Sequence, residues 1–222
     1  EFIEDTGATG LDDLLVYTTN TEVGGTFGNF TNSAVTNGRE TQQARRFTPE
    51  TNTRIRGLGN AQLGRDFFES DFGIDSYNTG RVEISRGPNS ILFGVGTPGG
   101  VVNGGLKRAL LGRDLGSVSL RLSEYGTVRA TLDYNKVLYK DRLALRMSTM
   151  RENVKYRQKP AYQDDFRFYA AMSGLIRKGN RSGFLGSTRV RANFERVKLE
   201  TTPPNVIAQT DNIRHWYMVP DY

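Results

Sequence analysis

From Gly116 onward the chain alternates apolar and polar residues with a period of two. Val118, Leu120 and Leu122 are set against Ser119, Arg121 and Ser123, and Val128, Ala130, Leu132 and Tyr134 against Arg129, Thr131, Asp133 and Asn135. Leu143, Leu145 and Met147 repeat the pattern, as do Phe166, Phe168, Ala170 and Met172, and Val190, Ala192 and Phe194. Gly126-Thr127 and Lys140-Asp141 mark turns between them. Five antiparallel strands joined as hairpins follow from this spacing, each with one apolar and one polar face. The first half reads differently. One helix is expected over Thr9 to Thr18, capped by Thr9, with Asp12 and Asp13 in its first turn and Leu11, Leu14 and Leu15 at helical spacing. Asn20 to Thr53 is rich in Thr, Asn and Gly and is expected to be loop.

Period two alone leaves the wet side of the sheet open. In a soluble sandwich the apolar face is the core; in an outer-membrane barrel it meets lipid, and the charged face lines the lumen. The alternating runs extend over roughly 9–12 residues, the length a tilted membrane strand needs and longer than most soluble strands. Tyr125, Tyr134, Tyr139, Tyr156, Phe166, Phe168 and Tyr169 lie near strand ends, where interfacial aromatic girdles belong.

Val82 to Asn103 reads VEISRGPNSILFGVGTPGGVVN. Val82 to Ser85 form a short alternating strand that meets an Arg-Gly-Pro turn; the apolar run Ile91–Phe93 follows, then Gly94, Gly96, Gly99 and Gly100 before Val101-Val102. Gly94 to Gly99 satisfies G-x-G-x-x-G, the dinucleotide fingerprint, which requires a helix directly after the turn. Val101-Val102-Asn103-Gly104-Gly105 are β-branched or helix-breaking, so the pattern is a turn. The whole stretch resembles the signature that ends the plug domain of TonB-dependent outer-membrane receptors. Arg54-Ile55-Arg56-Gly57 and Asp75 to Arg81 resemble two further elements of that family in the expected order, and Gly116 to Asn135 resembles its first barrel hairpin. The helix at Leu11–Leu15 resembles the short helix early in the plug.

The resemblance implies a mainly β protein, with a plug (α+β) domain inside a transmembrane antiparallel β-barrel of which only the first strands are present. Charge and glycine divide the chain at the same place. Residues 1–108 carry 10 Lys and Arg against 13 Asp and Glu, residues 109–222 carry 20 against 11, and 18 of the 25 glycines lie in the first part. The expected units are a plug over 1–108 and four to five barrel strands over 109–222, meeting near Lys107–Arg113. Five strands cannot close a barrel in lipid, so the sequence reads as part of a longer receptor, without the family's TonB-box segment.

In this family the arginines of the two motifs face the barrel wall. Arg56 and Arg86 are therefore expected at the plug–barrel contact, with Glu83 helping to hold them, and with their glutamate partners beyond this sequence. The row Arg121, Arg129, Arg146, Arg167 and Arg191 would line the lumen against the acidic plug. Apical plug loops form the floor of the ligand site, which makes Phe27, Phe30, Arg39, Arg45, Arg46, Asn60 and Gln62 the candidate ligand contacts. Cations of bidentate geometry and aromatic faces suit an anionic ligand with planar groups, a ferric siderophore before a sugar or cobalamin. The implied partners are a TonB-type periplasmic energy-transducing protein, the ferric siderophore and outer-membrane lipid, in the bacterial outer membrane.

Composition narrows the alternatives. Cysteine is absent and the single histidine, His215, stands far from any G-x-S-x-G turn, so neither a thiolate nor a Ser/His/Asp enzyme can be assembled. No cofactor, metal or enzymatic activity is expected. The net charge of +6 and a pI near 9.6 allow a second reading, a soluble basic all-β module for nucleic acid. That module needs aromatics interleaved with cations on one strand face, whereas Phe166 and Phe168 stand opposite Arg167, so no nucleic acid is expected. A passive outer-membrane channel is the third reading, and the plug motif disfavours it.

Overall fold

The computed structural model describes residues 2–23, 35–36, 39–40, 54–55, 61–70, 73–86, 99–179, 186–202 and 204. The segment Ile91–Phe93 and most of the glycine-rich turn lie outside them. No described helix is long and apolar enough to cross a membrane, which says nothing of a β-barrel.

Two short helices open the chain, α1 (Phe2–Asp5) and α2 (Leu11–Leu15). The second is half the expected length and starts one residue later than a Thr9 cap requires. Its cap is Gly10, and the Asp13 carboxylate serves the open end, accepting from the Thr9 amide (2.9 Å), the Thr9 hydroxyl (2.8 Å) and the Gly10 amide (3.3 Å). Leu11, Leu14 and Leu15 are buried, so the apolar spacing was read correctly; α1 was not foreseen. The stretch expected to be loop contains three two-residue strands, β1 (Thr21–Glu22), β2 (Val35–Thr36) and β3 (Arg39–Glu40). β2 pairs with β3, and β1 with β4 (Arg54–Ile55), which places Val23 and Ile55 in the core.

A four-stranded sheet follows in the order β6 (Phe68–Glu69), β5 (Gln62–Arg65), β8 (Val101–Leu106), β7 (Thr79–Ser85). β7 and β8 are antiparallel with Ser85 opposite Val101, and β5 runs parallel to β8. The strand after the glycine-rich turn confirms that no helix follows it. Gly100 sits at φ +115°, and a β-carbon there would collide with the Ser85 carbonyl, so this position admits only glycine. Asp66 and Phe67 close the β5–β6 hairpin at φ 46° and 70°, a geometry usually given to Asn-Gly. Two side chains hold it: Leu106 N–H donates to Asp66 Oδ1 (3.2 Å), and Phe67 N–H to Asn103 Oδ1 (2.8 Å). Leu11, Leu15, Val23, Ile55, Ala61, Leu63, Ile74 and Val102 form the core of this half.

The second half is a five-stranded antiparallel meander: β9 (Leu115–Ser123), β10 (Thr127–Tyr139), β11 (Leu143–Lys155), β12 (Tyr162–Arg177) and β13 (Thr188–Thr202). All five expected strands are present, and most are longer than the alternation alone marks. A 3-10 turn at Glu124–Gly126 and a tight turn with Asp141 at φ 58° stand where turns were expected.

Burial on this sheet is inverted. On β10, Arg129, Asp133 and Asn135 are buried while Val128, Leu132 and Tyr134 are exposed; Arg129 is 4% exposed, whereas Val118 on β9 is 78%. Ser148, Asp165, Arg167 and Ser173 continue the buried polar face, and Met147, Phe166, Met172 and Phe194 the exposed apolar one. The polar face meets the first half of the chain. A water-soluble sandwich buries the opposite set, so the structure decides what periodicity left open. Tyr169 departs from the expected girdle. It faces inward, 1% exposed, and its hydroxyl donates to the Lys107 carbonyl (2.7 Å).

Candidate functional site at the plug–wall interface

Three charged centres organise the contact between the halves. The first is Glu195, the one acid on the inward row of β13. Asp75 Oδ1 accepts from the Tyr77 amide (2.9 Å), shaping the turn before β7 so that Tyr77 and Asn78 both point at the wall. Tyr77 O–H donates to Glu195 Oε1 (2.5 Å), Asn78 Nδ2 donates to the same oxygen (2.9 Å), and Arg65 at the end of β5 pairs with Oε2. Burial first, then the hydrogen bond to the Glu195 carboxylate, push the Tyr77 phenol well above its ordinary value of 10.0.

The second centre is Arg129 of β10. Its guanidinium forks onto Asp75, at 2.6 Å to Oδ1 and 3.2 Å to Oδ2, and reaches Glu152 Oε2 of β11 at 3.0 Å. Asp75 also bridges to Gly10, so this cation ties the α2 cap to the wall. Bidentate pairing is what makes a buried guanidinium tolerable. The third is Asp133, which accepts from Lys107 Nζ (3.0 Å), Arg146 Nη2 (2.6 Å) and Ser148 Oγ (3.0 Å). Lys107 Nζ also donates to the Tyr77 carbonyl (2.9 Å), and the Lys107 amide to the Asn78 carbonyl (2.8 Å). Beyond Lys107, Asn135 fastens the linker by bonds to Leu110 and Arg113. Tyr77 and Leu106 meet Met150, Tyr169 and Ala171 in a small apolar seam.

Polar contacts of this kind can be exchanged for water one at a time, whereas separating two apolar cores cannot.

The site residues expected from sequence are placed unevenly. Arg56, Phe27, Phe30, Arg45, Arg46 and Asn60 lie outside the described residues. Arg39 lies in β3, described in its backbone only. Gln62 is not on an apical loop: it sits in β5 opposite Val101, because Gln62 N–H donates to the Gly100 carbonyl and extends the sheet. Arg86 is half-buried just after β7 and pairs with no described carboxylate. Glu83 pairs with Arg81 (3.1 Å) and accepts from Asn103 (3.5 Å), both within the first half. Of the inward arginines, Arg129 pairs with plug Asp75 as expected of a lumenal wall, and Arg121 donates to the Gly7 carbonyl (2.5 Å). Arg146 and Arg167 pair instead with Asp133 and Asp165 of the wall itself. Sequence reasoning missed Arg65, Asp75, Tyr77, Asn78 and Glu195 as contacts. The one available signal was Glu195, a lone acid on a face otherwise carrying Arg189, Arg191 and Asn193.

An α+β domain packed on the polar face of an inverted antiparallel wall is the arrangement of a plugged outer-membrane barrel. Residues 1–101 match the family model of the TonB-dependent receptor plug domain, and the chain carries that domain. No curated protein sequence matches the chain. Among solved structures it is similar to the ferric-catecholate import receptor Fiu of E. coli K12 in its closed form, at 20% identity and a TM-score of 0.68, covering 91% of this chain and 26% of that one. The ferripyoverdine receptor of the outer membrane of Pseudomonas aeruginosa gives 16% identity and a TM-score of 0.68, covering 89% and 24%. The alcaligin outer-membrane receptor FauA of Bordetella pertussis gives 17% and 0.64, covering 88% and 30%. The chain thus spans about a quarter of the length of the receptors it matches, and its fold is that of their plug and adjoining barrel wall.

Proposed function

We propose that this chain is the plug and first wall strands of a receptor in the bacterial outer membrane that takes up a scarce ligand, a ferric siderophore, by energy from a TonB-type periplasmic partner. The plug covers 1–108, and the wall strands begin after the Lys107–Arg113 linker. The observation that carries this reading is the inverted burial of β10–β12, with a plug domain ion-paired to the polar face and nothing among the described residues covering the other. In lipid that outer face is satisfied; in water it would expose apolar side chains along five strands. The plug's acidic and amide groups work only by holding and releasing, so no catalytic residue and no cofactor are assigned. Phe27, Phe30, Arg39, Arg45, Arg46 and Asn60 are the proposed ligand contacts, and Arg56, Arg86 and Glu83 the proposed supports of the plug against the wall.

The test is uptake of radio-iron, supplied on a panel of catecholate and hydroxamate siderophores, by iron-starved cells carrying the full-length gene product. Uptake that is lost when the energy-transducing partner is deleted, and reduced when Arg39, Arg45 and Arg46 become glutamine, supports the reading. Recovery of the full-length product as a soluble protein, or no iron uptake from any siderophore, overturns it.

A further inference from the structure

The outward face of the wall changes character along its strands. Toward the Glu124–Gly126 turn it stays uncharged on β9 and β10, through Val118, Leu120, Leu122, Val128, Ala130 and Leu132. On β11–β13, at the end remote from the Lys107–Arg113 linker, it carries four cations, Arg151, Lys155, Arg196 and Lys198, and two acids, Asp164 and Glu200. The register gathers them around two aromatic residues of β12. Phe166 stands opposite Arg151 on β11 and Lys198 on β13, and Phe168 opposite Thr149 and Arg196. Neighbouring strands lie about 4.8 Å apart, so the backbones of Arg151 and Lys198 are about 10 Å apart across Phe166, a span that two long flexible side chains close from either side. β12 is paired on both flanks, and that pairing fixes which residues of β13 share its outward face.

The acids do not match the cations one for one. Asp164 and Glu200 stand directly opposite each other, one outward row nearer the β11–β12 turn, and like charges so placed are unfavourable without attendant cations. Arg151 attends Asp164 at 3.0 Å, and Lys198 attends Glu200 at 2.8 Å. Arg196 and Lys155 pair with no described carboxylate. The patch is therefore net positive, and it lies where the apolar outward residues of β11–β13 end.

We propose that this patch binds the phosphate of an anionic membrane lipid, held by Arg196 and Lys198 from β13 and Arg151 from β11, with Phe166 and Phe168 along the acyl chains beneath it. The proposal rests on the outer-membrane reading above and adds a ligand on the side of the wall turned away from the plug. Lipid phosphates sit where hydrocarbon ends, and an anionic lipid surface attracts each nearby cation by a small increment that sums over a cluster. A soluble anion would gain nothing from the two phenyl rings. Because Asp164 and Glu200 already hold Arg151 and Lys198, the lipid competes with them, and Arg196 is its uncontested partner.

The experiment uses the full-length gene product in a neutral detergent, with fluorescent phosphatidic acid as the probe and anisotropy as the readout. Unlabelled phosphatidic acid should displace the probe, whereas diacylglycerol with the same acyl chains, or inorganic phosphate at the same concentration, should not. Arg196→Gln is expected to weaken binding about fivefold, and the triple change with Arg151→Gln and Lys198→Gln about a hundredfold. Asp164→Asn, which frees Arg151, should tighten it, the opposite of what a purely structural role for that ion pair would give. Lys136→Gln, on the outward face at the linker end, should leave it unchanged. Displacement by diacylglycerol shows acyl packing alone, and displacement by inorganic phosphate shows a site for soluble anions; either overturns the proposal. So does unchanged binding in the triple variant, weaker binding in Asp164→Asn, or an equal loss with Lys136→Gln. All of these leave the transport reading standing, whereas recovery of the full-length product as a soluble protein overturns both.

Discussion

Replacing Glu195 by glutamine removes the charge on which three plug groups converge while keeping the side chain's size. The magnitude follows from the geometry. Arg65 and Glu195 are only 13% and 16% exposed, and stripping one partner from a buried pair costs about 3–5 kcal/mol. Residual water access and the second acceptor of Arg65, the Gly73 carbonyl at 3.1 Å, move the value to the lower end. The amide oxygen of glutamine still accepts from Tyr77 or Asn78, so about 2.5 kcal/mol is expected, and about 4 kcal/mol for Glu195→Ala, which forfeits both hydrogen bonds. The assay is amide hydrogen exchange of β5 and β7 in the detergent-solubilised full-length protein. A loss of about 2.5 kcal/mol in plug–wall coupling corresponds to roughly 60-fold faster exchange through the opened state. Adding Arg65→Ala to Glu195→Gln should cost much less than Arg65→Ala alone, since the pair is already broken. Exchange of these strands within about threefold of the parent, under 0.7 kcal/mol, would refute the reasoning and mean that the Arg129 and Asp133 contacts and the apolar seam hold the plug without Glu195.

The remaining expectations concern single positions. Leu120→Arg, at a site 67% exposed, should destabilise the lipid-embedded protein by about 2–4 kcal/mol, against less than about 0.5 kcal/mol if that face met water; chemical denaturation in detergent or lipid decides. Because the docked Tyr77 phenol titrates above its ordinary value of 10.0, the undocked form ionises first; plug docking should be undiminished below pH 10 and weaken as pH rises beyond it, which Tyr77→Phe abolishes. Asp13→Ala removes the acceptor of three bonds at the α2 terminus and should cost about 1–2 kcal/mol, seen as faster exchange in residues 9–15. Gly100→Ala, forced against the Ser85 carbonyl, should cost about 3 kcal/mol or more and register as loss of folded yield.

The wall was legible because its residues follow a single rule: successive side chains turn to opposite faces, one polar and toward the plug, the other apolar and away from it, and period two records that alternation. The sheet of the plug was legible only at β7 and at the glycine that starts β8, where a steric constraint forces the residue type. The two-residue strands β1 to β4 were not, since so short a pairing satisfies backbone hydrogen bonds without leaving a periodic trace. The helix boundary failed for a related reason: Thr9 has the side chain of a cap, but its hydroxyl donates to the Asp13 carboxylate, which also takes the Thr9 and Gly10 amides. At the interface, Tyr77 and Asn78 look like ordinary turn residues in sequence. Their role depends on Asp75 turning them toward a carboxylate more than a hundred positions away, and no local pattern carries that distance.

The inverted wall also changes what the protein's charge means to anything outside it. Lys107, Arg129, Arg146 and Arg167 are each turned inward and matched by Asp75, Asp133, Glu152 or Asp165, four cations against four acids, so this buried network adds nothing to the net charge. The cations that a column or a polyanion can reach are exposed ones such as Arg113, Lys140, Arg157, Arg177, Arg189 and Arg196, together with Arg151 and Lys198 beside Asp164 and Glu200. The basic excess behind a pI near 9.6 therefore lies on the surface of the folded chain. The folded chain should be held by a cation exchanger as firmly as its composition demands, and denaturation should shift its elution little.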